Sequence, residues 1–151
     1  MKILWKRVSH VLLLGAALAV FSEQRSCATP GLALPPNAAG WNMASPAHCA
    51  KPERGDPWRW RGTAGARQVC RVDYAGSPGM TLTLYDMPGW PGATAFDAMQ
   101  KWNRQPGKMA FFKGPYFGVV ESSPEADTET LSRFIIALEA ALPPAPGEFH
   151  R

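Results

Sequence analysis

Histidine is scarce in this chain of 151 residues: there are three, His10, His48 and His150. That scarcity leaves few candidates for a histidine general base. A serine hydrolase needs a nucleophile, a base and a group to orient the base. No Gly-x-Ser-x-Gly elbow is present, and His150 stands in the Pro-rich ending "PPAPGEFHR". His48 adjoins Cys49, but neighbours on an extended segment point to opposite faces, which argues against a Cys–His thiol enzyme. Glycine-rich phosphate loops and dinucleotide fingerprints are missing. So is the Cys-x-x-Cys-His of covalent haem, and no second ligand stands at a zinc-like spacing from His48 and Cys49. The expectation is a non-catalytic protein with no cofactor and no metal.

Long apolar runs are also few. The clearest, Val11 to Phe21, is eleven residues, well short of the roughly 20 that span a bilayer as a helix. Lys2, Lys6 and Arg7 precede it, and the small residues of "RSCA" follow. That is the layout of a secretory signal peptide, expected over residues 1–28 and cut after Ala28, with a cut after Ser22 as the alternative. The expected location is therefore periplasmic or secreted. An uncleaved leader would anchor the protein in the membrane. So would a lipid on Cys27, but the preceding "QRS" lacks the aliphatic and small pattern that lipidation uses.

Removing the leader changes two readings. Lys2, Lys6, Arg7 and Arg25 against Glu23 carry three of the four net positive charges, which leaves a net +1. A nearly neutral exported domain is a poor nucleic-acid binder, since that affinity rests on many phosphate contacts. Of three cysteines only Cys49 and Cys70 remain. In an oxidising compartment such a pair reads first as a disulfide; two free thiols or a metal pair are the other readings.

Aromatic residues, by contrast, are plentiful. Trp41, Trp58, Trp60, Trp90 and Trp102 all lie beyond the leader. In "DPWRWRGTAG" Trp58 and Trp60 alternate with Arg59 and Arg61, as on a short extended segment with rings to one side and guanidiniums to the other. With Trp90 in "PGWPG", these residues form a candidate surface for a protein or a small ligand, because Trp and Arg dominate binding hot spots. The competing reading puts the large rings in a small core. A second functional reading is a small envelope hydrolase using carboxylates among Asp73, Asp86 and Glu121.

Periodicity outlines the fold. "RQVCRVDY" and "MTLTLYDM" alternate with the period of two of half-buried strands, around the turn "AGSPG". Residues 93–104 space Ala95, Phe96, Met99 and Trp102 at helical intervals. "KMAFF" and "YFGVVES" form a second hairpin around "KGP". In the last helix, Leu131, Phe134, Ile135, Leu138 and Leu142 make one apolar stripe, with Asp127 placed to cap it. The order strand, strand, helix, strand, strand, helix predicts an α+β two-layer sandwich. Its expected form is a four-stranded antiparallel sheet with both helices on one face. The expected organisation is a leader (1–28), a linker or extended lead-in (29–39), one domain (40–143) and a tail (144–151).

These motifs resemble an uncharacterised family of exported bacterial proteins, a domain of unknown function. The resemblance lies in the "LP…GW" of "LALPPNAAGW", then the aromatic and small-residue stretch Trp58 to Ala66, the triplet Tyr85-Asp86-Met87 and the pair Ala95-Phe96. It continues with Phe111, Lys113, Gly114 and Tyr116 of "FFKGPY" and the closing Leu142-Pro143. It spans Leu34 to Pro143. The short segment between Trp41 and Trp58, with Cys49 in it, departs from the pattern. The resemblance implies an exported α+β module and assigns no activity.

Overall fold

The computed structural model describes residues 32–52 and 65–143. The elements in chain order are β1 (Asn37–Ala38), β2 (Trp41–Met43), β3 (His48–Ala50), β4 (Gln68–Ala75), β5 (Gly79–Asp86), α1 (Gly92–Trp102), β6 (Lys108–Lys113), β7 (Tyr116–Ser123) and α2 (Thr128–Ala141). The six elements from β4 onward are those the periodicity predicts.

The architecture differs from the expected four-stranded sandwich. The described residues form one seven-stranded, wholly antiparallel sheet, curled into a half-barrel, in the order β1-β2-β4-β5-β7-β6 with β3 also paired to β4. The extra strands come from the Pro- and Gly-rich N-terminal part. At two or three residues each they are too short to show a period. Ala39 and Gly40 both have positive φ (50° and 97°), as a tight two-residue hairpin between β1 and β2 requires. Strands β2 and β3 follow one another along the same side of β4, opposite Tyr74–Ala75 and Val69–Arg71 respectively. The amide of Ala44 continues the ladder by donating to Asp73 O at 2.8 Å.

Nor do the helices share a face. On β4, β5, β6 and β7, one set of alternating residues packs with α2: Cys70, Val72, Tyr74, Met80, Leu82, Leu84, Phe111 and Val120, against Leu131, Phe134, Ile135, Leu138 and Leu142. The other set, Tyr85, Ala110, Phe117 and Val119, packs with Ala98 of α1 and with Met87. Side chains alternate across a strand, so these two clusters lie on opposite faces of the sheet. Both faces are buried along Leu82–Asp86 of β5 and Tyr116–Val120 of β7; the latter accordingly reads as a near-continuous apolar run, whereas β5 keeps its alternation with Thr81 and Thr83 on the α1 face.

The α2 face holds the larger core. Phe134 takes the edges of Trp41 and Tyr74, with centroids at 5.6 and 5.1 Å and both pairs at 78°. Trp41 Nε1 donates to Pro78 O and the Tyr74 hydroxyl donates to Pro35 O, so both polar tips are satisfied where they are buried. The stretch read as a lead-in thus contributes β1, two backbone acceptors and the half-buried Leu32 and Leu34. Asp127 caps α2 as expected, accepting from Thr130 N at 2.7 Å. Helix α1 buries only Ala95 and Ala98. Phe96, predicted on its apolar stripe, is 49% exposed.

Candidate functional site

Register places two different rows across the same end of the sheet, one on each face. Val69 stands opposite Tyr85, Tyr85 opposite Phe117, and Phe117 opposite Phe112. This is an apolar row over four strands on the α1 face, three of its members aromatic. Phe117 is fully buried, whereas Phe112, on the edge strand β6, is 38% exposed. Trp90 lies edge-on against Phe117, with centroids at 5.2 Å and planes at 83°. Its backbone is fixed by a turn in which Trp90 N donates to Met87 O at 3.2 Å. The indole is half-buried, so part of it faces outward.

One residue along each strand, on the α2 face, stands the second row. Gln68 is opposite Asp86, Asp86 opposite Tyr116, and Tyr116 opposite Lys113. Asp86 is 4% exposed. Its Oδ2 accepts from Arg67 Nε at 2.8 Å and lies 2.7 Å from Nη2 of the same guanidinium. Its Oδ1 is buried and has no hydrogen-bond donor. Burial and the Asp86 charge raise the Tyr116 hydroxyl above the usual phenol range, and the Arg67 charge opposes them. Lys113 Nζ donates to the backbone carbonyl of Glu139 near the end of α2. Burial raises the Glu139 carboxyl, with the Lys113 charge pulling the other way.

Of the residues singled out from sequence, Trp58, Arg59, Trp60 and Arg61 lie outside the described residues. Their chain rejoins the described fold at Gly65, and the next residue, Ala66, packs in the same cluster as Trp90. Cys49 and Cys70 are directly opposed on β3 and β4 and form a disulfide, with S–S at 2.06 Å. The three carboxylates do not gather in one place. Asp73 accepts from the Thr81 hydroxyl at 2.6 Å, and Glu121 accepts from Lys108 Nζ at 2.9 Å. Thr81 is opposite both, which sets Asp73 and Glu121 two strand spacings apart, about 10 Å. Asp86 is on the other face, five residues along β5 from Thr81, about 17 Å away.

Sequence reasoning missed Tyr85, Phe112, Phe117, Arg67 and Tyr116. A signal existed for two of them: the alternation of "KMAFFK" and "YFGVVES" puts Phe112 and Phe117 on one face once the hairpin register is known. Nothing local pairs Arg67 with Asp86.

At the far end of the sheet, the α1–β6 and β7–α2 loops enclose an open cleft of about 620 Å³. Arg104 and Lys108 are on one side, Glu125 and Asp127 on the other, and Met109 and Leu131 at its apolar part. Among the described residues, no three His, Cys, Asp or Glu side chains group as metal ligands would, and no helix is long and apolar enough to cross a membrane. Compared with protein families, with curated proteins and with solved structures, the chain matches none.

Proposed function

We propose that this protein belongs to the class of non-catalytic binding modules. More particularly, it is an exported module of the bacterial envelope that holds a protein or small ligand on the aromatic end of its sheet. Trp90 and Phe112 are the contact residues among those described, and the sequence adds Trp58, Arg59, Trp60 and Arg61 as further candidates. The observation that carries this reading is the seat of Trp90. A half-exposed indole is fixed edge-on to a fully buried phenylalanine, in a row whose outer member, Phe112, faces solvent. A pre-positioned ring loses little freedom on binding, which is why such rings anchor interfaces. The Cys49–Cys70 disulfide suits an oxidising compartment.

The test is site-specific photocrosslinking in the exporting cell. A benzophenone side chain replaces Phe112 in one variant and Ile136 in another; Ile136 is the 65% exposed apolar residue on α2, across the sheet. The expected result is a discrete adduct from position 112 and none from position 136. Equal labelling from both, or from neither, would sink the proposal.

A further inference from the structure

We propose that the cleft between the α1–β6 and β7–α2 loops binds a short unblocked peptide, with Arg104 holding its terminal carboxylate and Glu125 its terminal ammonium. This is a second site, at the opposite end of the sheet from the aromatic row, and it stands independently of the function proposed above. The cleft is built before any ligand arrives. One hydroxyl ties its two loops together: Ser122 Oγ donates to Gly107 O at 3.1 Å and accepts from Ala126 N at 2.7 Å. The loops also pack on each other, since a Cβ on Gly107 would lie 3.0 Å from Cγ of Glu125 and 3.2 Å from its Cα. Asn103 Oδ1 fixes the start of the α1–β6 loop by accepting from Ala110 N. At about 620 Å³, the cleft is in the size range of small-ligand sites.

Charge narrows the ligand. Two cations, Arg104 and Lys108, stand on one wall, and two carboxylates, Glu125 and Asp127, stand on the other. One of each is already engaged. Lys108 pairs with Glu121 at 2.9 Å, and Asp127 caps α2. Among the described residues, the side chains of Arg104 and Glu125 have no hydrogen bond and no ion pair, either with each other or with another group. A free cation and a free carboxylate thus line one cleft from opposite sides, too far apart to pair. A ligand that is only an anion would be drawn to one wall and repelled by the other, and a cation likewise. A ligand carrying both charges satisfies both walls. In a free amino acid the two charges sit on one carbon, too close together to reach both walls. A dipeptide or tripeptide separates them by about 3.5 Å per residue. Between the charged walls, Met109 and Leu131 form the apolar part of the cleft, which suits an apolar side chain of the peptide.

The experiment is calorimetric titration of the full chain with leucyl-leucine and trileucine, with their N-acetylated and C-amidated forms, and with free leucine. At least one of the two unblocked peptides is expected to bind, and free leucine to bind more weakly. Either block should weaken binding about fivefold, the scale of an exposed charge pair. Glu125→Gln is expected to remove the penalty for acetylation and keep that for amidation, and Arg104→Gln the reverse. A general loss of structure would not give this crossed pattern. Both side chains are exposed, so near-UV circular dichroism should show both variants folded. Binding by neither peptide, blocked peptides that bind as well as unblocked ones, or folded variants that keep both penalties would each overturn the inference.

Discussion

Arg67 Nε and Nη2 both point at one oxygen of Asp86, Oδ2, at 2.8 and 2.7 Å, and leave Oδ1 buried without a donor. The pair also carries a backbone link, Arg67 N to Asp86 O at 2.8 Å, so it fastens the start of β4 to the end of β5. Arg67→Ala is expected to cost about 1 to 3 kcal/mol, less than for a fully buried pair because the guanidinium is mostly exposed. The double variant Arg67→Ala/Asp86→Leu should recover much of that, since no charge is then left buried. Urea unfolding of the two variants checks the order; a double variant no more stable than the single would contradict it.

The disulfide closes a separation of 21 residues between β3 and β4. In the chain-entropy account such a loop contributes about 3 kcal/mol. Cys49→Ser/Cys70→Ala is therefore expected to unfold at clearly lower urea than the wild type, and reductant should shift the wild type but not the variant. Alkylation followed by mass spectrometry should show both cysteines protected until reduction.

Tyr74 supplies an alkaline signature. Burial pushes its hydroxyl up to about 12 from an ordinary value near 10. The unfolded chain loses this proton first, so the stabilisation is complete below about pH 10 and is lost as pH rises from about 10 to about 12. Its slope is at most about 1.4 kcal/mol per pH unit. Tyr74→Phe should flatten that part of the stability profile, at a cost of about 1 kcal/mol near pH 7 for the lost bond to Pro35 O. Chemical denaturation across pH 8 to 12 is the measurement.

Gly118 stands opposite Phe111 on β6, and a Cβ there would collide with the Phe111 ring. Gly118→Ala is expected to destabilise by about 1 to 3 kcal/mol, as overpacking does. Adding Phe111→Leu should relieve part of the cost. Additive losses in the double variant would show that the collision is not the cause.

Strand β6 is an edge, and the outward amide of Ala110 is covered by Asn103 Oδ1 at 2.7 Å. An uncovered edge is a template for pairing with other chains. Asn103→Ala should thus lower stability by about 1 kcal/mol and speed thioflavin-positive aggregation on mild heating. Unchanged aggregation would mean the Lys residues at both ends of β6 suffice to guard it.

The sequence by itself determined the local elements. Periods of two and of 3.6 in "QVCRVDYA", "GMTLTLYD" and "TETLSRFIIALEAA" come from the geometry of strand and helix, which needs no distant partner. The cap on α2 was legible for the same reason, and counting cysteines beyond the expected leader pointed to the pair that forms the disulfide. Tertiary structure alone decided which face each helix covers, because an apolar stripe says that a helix is buried and not against what. It also made strands of Asn37–Ala38, Trp41–Met43 and His48–Ala50, whose pairing to one another and to β4 fixes residues that no local pattern would. The candidate site divides in the same way. Trp90 could be singled out from its Pro-Gly loop. Its seat on Phe117, the exposed Phe112 opposite Phe117 and the Arg67–Asp86 pair arise from contacts between elements, which join residues as far apart in the chain as Trp90 and Phe117, 27 positions.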